Sequence, residues 1–266
     1  MNMVGANYTL RDEIREYWSE RAATFDESPG HGIFSESERM AWHGLFARHL
    51  GPAEGRSALD LASGTGVVSH LLDELGFRVT GLDWSETMLE RAKAKSAVRK
   101  SRIAFRLGDA ERIMEEDASF DVIVTRHLVW TLVDPAAAFA EWLRVLKPGG
   151  TLIVIDGDFV NQGRIERLIV RLESLLARRG RGGNGTALSG DLAERHRSIL
   201  ARLPFREGAR AEKVAAMVEQ AGFCDIAIDR RLGAIHRAQA RHMSLTRGLV
   251  RQVQHRYAIR AVKPVD

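Results

Sequence analysis

The chain has 266 residues, 45% of them hydrophobic and 28% charged, which suits a soluble globular protein of one large domain with a substantial core. Its first residues, "MNMVGANYTLRDEIREYW", lack the basic start and apolar run of a secretory signal, and no stretch approaches the ~20 apolar residues that span a bilayer, so a cytoplasmic protein is expected. The formal net charge is a modest +4, and a single cysteine, Cys224, with no His or Cys cluster at ligand spacing, excludes an internal disulfide and leaves no metal site to expect.

Residues 1–45 read as a helical cover. Tyr17, Trp18 and Phe25 recur at near-helical spacing, and the Pro29-Gly30 turn could carry His31 over a pocket. Apolar runs of strand length follow at Ser57–Leu61, Arg78–Leu82, Ile103–Leu107, Phe120–Thr125 and Thr151–Ile155, separated by helical periodicity. Leu71, Leu72 and Leu75 mark the first of these helices, Met88, Leu89 and Ala92 the second, and Phe139, Trp142, Leu143 and Leu146 the one before "KPGG". Residues 161–205 hold an amphipathic helix, a "GRGGNG" linker and a second helix stopped near Pro204, which read as a lid. In residues 211–264, the helix "RAEKVAAMVEQAG" ends at Gly222, and "CDIAIDRRL" and "HRYAIRAVKP" read as strands that pair antiparallel at one edge.

This alternation predicts an α/β domain over 1–266 in which a doubly wound, mostly parallel sheet of seven strands carries an antiparallel C-terminal edge strand and helical lids. Parallel strands need crossover connections, which are right-handed, and ligands collect at the carboxyl ends of the strands. No internal repeat is visible.

Charge is unevenly spread along this plan. Residues 1–159 hold 18 basic and 25 acidic side chains, whereas residues 160–266 hold 21 and 10. Arginines interleaved with apolar residues, as in "RIERLIVRLESLLARR", usually form the solvated face of a helix, and a site for an acidic partner is the alternative.

The turn after the first strand, "ALDLASGTGVVSHLL", asks which ligand needs backbone so close. A dinucleotide fingerprint wants G-x-G-x-x-G, but from Gly64 the chain reads Gly-Thr-Gly-Val-Val-Ser, with Ser69 at the third glycine position. Asp60 stands just before the turn, where a carboxylate would repel a pyrophosphate and attract an ammonium group. The turn therefore favours a cationic cofactor without phosphate.

"LDLASGTG", "VTGLDWSETMLERAK", "FRLGDAER", "FDVIVTRHLVWTL" and "EWLRVLKPGGTLIVID", in that order, resemble the motif series of class I S-adenosylmethionine-dependent methyltransferases. The resemblance covers a cofactor-binding core of residues 56–158. It implies that Asp60 helps hold the methionine ammonium and that Ala62, Ser63 and Gly64 approach the cofactor, with Gly66 making room. Ala62 and Ser63 stand where many relatives have Gly and Cys, and both are small. Asp83, at the end of the second strand, would accept from the ribose hydroxyls, Trp84 would pack on adenine, and Asp109 and Ala110 would meet the adenine edge.

Methyl transfer from a sulfonium needs alignment and exclusion of water more than a nucleophilic residue. His127, beyond the fourth strand, is the candidate catalytic residue, either as general base or as a neutral group that orients the acceptor. Trp130, Tyr17, His31 and Asp156 are candidate acceptor-side residues, and Asp158 is a further carboxylate at a strand end. A small-molecule acceptor methylated on nitrogen or oxygen is expected, because two covers suit an enclosed substrate. Nucleic acid is not expected as a partner: "TRHLVW" replaces the N/D/S-P-P-aromatic stretch of base-amino methyltransferases, and no stacking platform is visible. A lyase or cyclising enzyme on the same fold, and a non-catalytic cofactor-binding module, remain open alternatives; nothing in the chain marks an oligomeric state.

Overall fold

The computed structural model describes residues 8–161, 163–178 and 190–265; the "GRGGNG" linker lies outside the described residues. Seven strands form one sheet: β1 Ser57–Leu61, β2 Arg78–Asp83, β3 Ala104–Leu107, β4 Phe120–Arg126, β5 Leu146–Gly157, β6 Cys224–Asp229 and β7 Arg256–Val262. Their order is β3-β2-β1-β4-β5-β7-β6. The first five pair in parallel, and β7 runs antiparallel to both β5 and β6. The expected antiparallel pair is thus present, with β7 inserted between β5 and the edge strand β6. The strand order reverses between β1 and β4, the switch point where such sheets bind ligands.

The two faces of the sheet follow from period-two alternation within each strand. Leu59, Leu61, Ile123, Leu152 and Val154 pack on one side under Phe139 and Trp142. Ala58, Val122, Val124, Ile153 and Ile155 pack on the other under Trp42, Phe46, Leu71 and Leu72. Phe139 and Trp142 belong to α5 Pro135–Val145, which starts on Asp134 as cap with a proline in its first turn. Trp42 and Phe46 belong to α2 Glu36–Leu50, capped by Ser35. Leu71 and Leu72 belong to α3 Val67–Glu74. Each side chain of this size taken fully from water contributes ~1.5–3 kcal/mol.

The remaining helices are α1 Leu10–Arg21, α4 Glu86–Arg99, α6 Arg164–Arg178, α7 Gly190–Ala201, α8 Ala211–Gln220, α9 Gly233–Ala240 and α10 Leu245–Val253. The last two fill the interval between β6 and β7, which the sequence pattern leaves unassigned. α1 and α7 meet over the strand ends in a third cluster of Ile14, Tyr17, Ile199 and Leu203. Ion pairs reinforce that seam: Arg195 reaches Glu16 at 3.0 Å and Glu20 at 2.9 Å, and Arg202 reaches Glu13 at 2.6 Å. Part of the C-terminal excess of arginine is therefore neutralised by the acidic N-terminal cover. Among the described residues, no helix is long and apolar enough to cross a membrane.

Candidate active site

A cavity of about 370 Å³ opens over the carboxyl ends of β1, β2 and β4, within the size range of small-ligand sites. Its first wall is the turn after β1. Ala62, Gly64 and Gly66 all have positive φ, at 53°, 54° and 79°. The turn is latched to the end of β2 twice: Ser63 N donates to Leu82 O at 2.9 Å, and Gly64 N donates to Asp83 Oδ2 at 2.8 Å. Ala62, Ser63 and Gly64 line the cavity; Gly66 lies just outside it and starts α3. A Cβ at Gly66 would come within 2.9 Å of Phe105 Cζ, so packing against β3 demands this glycine. Among the described residues, the buried Ser63 hydroxyl has no hydrogen-bond partner, as expected of a group that awaits a ligand.

Three carboxylates at successive strand ends converge on this wall. Asp60 is 1% exposed and accepts from Ser69 Oγ at 2.6 Å. Burial pushes its pKa up to about 7, against the Ser69 hydrogen bond and the Arg126 charge. Asp83 is raised to about 6 by burial, opposed by the backbone amides of Ser85 and Gly64. Asp109 lines the cavity too; its Oδ1 accepts from Glu111 N at 2.8 Å and its Oδ2 from Arg11 of α1 at 2.9 Å. Trp84 and Ala110 complete this end, and the Ala110 carbonyl is held by Trp142 Nε1 at 2.8 Å. These residues fit the cationic nucleoside that the motif series implies. Asp60, Asp83, Asp109 and Glu111 on one wall would repel a pyrophosphate.

The opposite end is aromatic and basic. His127 follows β4 with φ 62°, and its N–H donates to Ile155 O at 2.9 Å. Arg256 Nη1, from β7, donates to His127 Nε2 at 2.9 Å. Burial first, then the charges of Arg256 and Arg126, hold the His127 pKa well below the ordinary histidine value. His31 stacks on Phe25 at 4.2 Å and stands 6.0 Å from the His127 ring; burial lowers its pKa to about 3. Both imidazoles are neutral at physiological pH. Trp130 meets Trp18, Phe159 and His196 edge to face at 6.1, 6.0 and 5.5 Å.

Two sequence candidates lie elsewhere. Tyr17 does not line the cavity: it is 1% exposed and packs between α1 and α7, and its neighbour Trp18 faces the cavity instead. Asp156 is also outside the lining. Its Oδ2 accepts from Val129 N at 2.9 Å and its Oδ1 from Gly157 N at 2.8 Å, which ties the turn carrying Trp130 to β5. Burial raises its pKa to about 7. Asp158 accepts from the backbone of Val160 and Asn161 and shapes the same connection.

The lining also includes residues that the sequence reading did not single out, among them Arg21, Arg126, Phe159, His196 and Arg256. Arg126 donates to His31 O at 2.7 Å and lies 5.4 Å from the Trp42 ring centre. Its adjacency to His127 in "TRH" at a strand end was a usable signal. Arg256 carried none, because nothing local places β7 beside β5.

Comparison with known proteins agrees with this geometry. A family described as "Methyltransferase domain" matches residues 59–154. The demethylmenaquinone methyltransferase of Renibacterium salmoninarum is 32% identical over 145 residues, 54% of this chain and 59% of that protein. The ubiquinone/menaquinone biosynthesis C-methyltransferase UbiE of Bdellovibrio bacteriovorus is 31% identical over 159 residues, 59% of this chain and 67% of that protein. The solved structure of Haemonchus contortus phosphoethanolamine N-methyltransferase 2 in complex with S-adenosyl-L-methionine superposes with a TM-score of 0.60 at 20% identity, over 97% of this chain and 58% of that one, and shares the fold. The chain thus spans about three fifths of the length of the Renibacterium and Haemonchus proteins.

Proposed function

The chain belongs to the class I S-adenosylmethionine-dependent methyltransferases, and on that premise we propose that it methylates a small ring-bearing acceptor held in the aromatic end of the cavity. The observation that carries this reading is the convergence of Asp60, Asp83 and Asp109 on one wall of a cavity whose far wall is built from Trp18, Trp130, Phe159 and His127. When bound, the cofactor supplies a sulfonium methyl group that is already activated for displacement.

In this reading Asp60 meets the ammonium group, Asp83 the ribose hydroxyls, Trp84 the face of the purine, and Asp109 with Ala110 its edge. Gly64 and Ser63 give the backbone approach. Trp18 and Trp130 wall the acceptor on one side, and α1 with α7 excludes water from the transfer. His127 orients the acceptor as a neutral imidazole and is not a general base, because its Nε2 lone pair is already taken by Arg256.

For the acceptor atom, sequence reading alone favours nitrogen or oxygen. The name of one relative, the C-methyltransferase UbiE, favours carbon, and an aromatic cleft suits an electron-rich ring, so carbon is the proposed atom. The test is incubation with methyl-labelled cofactor and a series of hydroquinones, phenols and amines. Label on a ring carbon with stoichiometric S-adenosylhomocysteine supports the proposal. Label on nitrogen or oxygen corrects the atom, and methylthioadenosine or no turnover overturns methyl transfer.

A further inference from the structure

The cavity is lined by both signs of charge. Asp60, Asp83, Asp109 and Glu111 line it, and so do Arg21, Arg126 and Arg256; Arg126 stands near Asp60, whose pKa its charge lowers, whereas Arg256 stands with His127 and Phe159. Among the described residues these three guanidinium groups contact only neutral acceptors: Arg21 the Tyr17 hydroxyl at 3.4 Å, Arg126 the His31 carbonyl at 2.7 Å, and Arg256 the His127 ring and the Gln254 side chain at 2.9 and 3.2 Å.

Tautomer logic sharpens the picture. Since His127 Nε2 accepts from Arg256, the ring proton sits on Nδ1, which then donates. Among the described residues, Nη2 of Arg256 makes no hydrogen bond, so the guanidinium lines the cavity with a charged donor to spare beside a neutral imidazole. An enclosed guanidinium with no ion pair is costly, and such groups persist where a ligand completes them. Burial, then Arg251, push the Arg256 pKa down, and Asp156 opposes them from beyond ion-pair distance, so the charge is only partly compensated.

We propose that the acceptor carries an oxyanion of carboxylate size, received by Arg256 Nη2 beside the His127 ring, with Arg126 and Arg21 supplying further positive field. The assignment rests on the methyltransferase reading above and names its substrate class. Carboxylate chemistry has two sources here, the acceptor and the cofactor's own methionine end, and the acceptor is favoured because Arg256 stands with Phe159, at 5.0 Å from its ring, in the aromatic cleft.

The probes are benzoate and its neutral isostere benzamide, titrated calorimetrically into the full chain, free and loaded with S-adenosylhomocysteine. The loaded protein is expected to bind benzoate at least tenfold more tightly than benzamide. Arg256→Gln should erase that preference while S-adenosylhomocysteine affinity stays within twofold, the latter also reporting that the variant is folded; Arg256→Lys should restore part of it. Equal binding of the two probes overturns the proposal. So does expulsion of benzoate by S-adenosylhomocysteine, together with a tenfold loss of cofactor affinity in Arg256→Gln, which would hand the site to the cofactor's carboxylate. Failure of S-adenosylhomocysteine to bind at all would instead remove the methyltransferase reading, and the benzoate titration of the free protein would still judge the anion site.

Discussion

Arg256 and His127 are 129 positions apart in sequence and 2.9 Å apart in the fold, joined by a hydrogen bond from the guanidinium to Nε2. That contact sets the tautomer of the ring, its neutrality and the direction in which its remaining proton points.

One consequence is spectroscopic. Nitrogen chemical shifts of His127 should report the Nδ1–H neutral tautomer from pH 8 down through 6.5, where an ordinary histidine takes up its proton, because burial and two guanidinium neighbours disfavour the cation. The position has a positive φ that asparagine tolerates better than most residues, and an amide oxygen can still accept from Arg256. His127→Asn should therefore lose only about tenfold in kcat, less than the ~10²–10⁴-fold that loss of a general base costs, whereas His127→Val, which gives Arg256 no acceptor, should lose at least about a hundredfold. An imidazolium signal at neutral pH would refute the assignment.

Cofactor affinity should depend on pH through Asp60. Its carboxyl titrates at about 7 in the free protein, and only the carboxylate attracts an ammonium group. Affinity for S-adenosylhomocysteine is then expected to fall about tenfold from pH 8 to pH 6, with proton release visible as a buffer-dependent enthalpy. Asp83, at about 6, steepens the loss below that pH. A flat profile across this window would mean that neither carboxyl meets the ligand.

The same carboxyl should cost stability. Its folded pKa is raised above the unfolded value near 3.9, so the penalty is absent below about pH 4, grows between 4 and 7, and is complete above 7. Asp60→Asn should raise the melting temperature at pH 8, by up to about 4 kcal/mol in free energy, with no gain at pH 4. The gain should come with at least tenfold weaker cofactor binding, a trade of stability against function. Unchanged melting at pH 8 would contradict the buried, ionised state.

The two glycines of the first turn should separate. At Gly66 an added Cβ meets Phe105 at 2.9 Å and Ala92 at 3.2 Å with φ 79°, so Gly66→Ala is expected to cost about 2 kcal/mol in urea unfolding. At Gly64 the nearest atom is Phe25 Cε1 at 3.8 Å, so Gly64→Ala should cost only the backbone term of about 1 kcal/mol. Gly64→Ala should nonetheless weaken the cofactor more, because Gly64 lines the cavity and Gly66 does not. Equal effects on binding would show that the turn acts as one unit.

The division between what could be read along the chain and what could not follows the range of the forces involved. Strand alternation, the glycine-bearing turn between β1 and α3, and carboxylates at successive strand ends are local patterns: β1 spans the expected Ser57–Leu61, and Asp60, Asp83 and Asp109 all line one cavity. Helix α9 escaped notice because an eight-residue segment of mostly small and polar residues carries weak periodicity, whereas α10 is clearly amphipathic and its period was there to be read.

Side-chain direction at the covers depended on packing instead. Tyr17 and Trp18 are adjacent on α1, and nothing in their order says which one the α7 contact buries and which it leaves facing the cavity. Asp156 stands at a strand end like Asp60, yet it turns to backbone amides because the turn after β4 passes within hydrogen-bond reach. The amino-acid sequence by itself determined the doubly wound sheet and the acidic cofactor wall, since both are set by short-range periodicity and by turn chemistry. Only the tertiary structure decided that Arg256 would stand beside His127, because insertion of β7 between β5 and β6 pairs Gly157 with Arg256, and that register is a property of the assembled sheet and of no single segment.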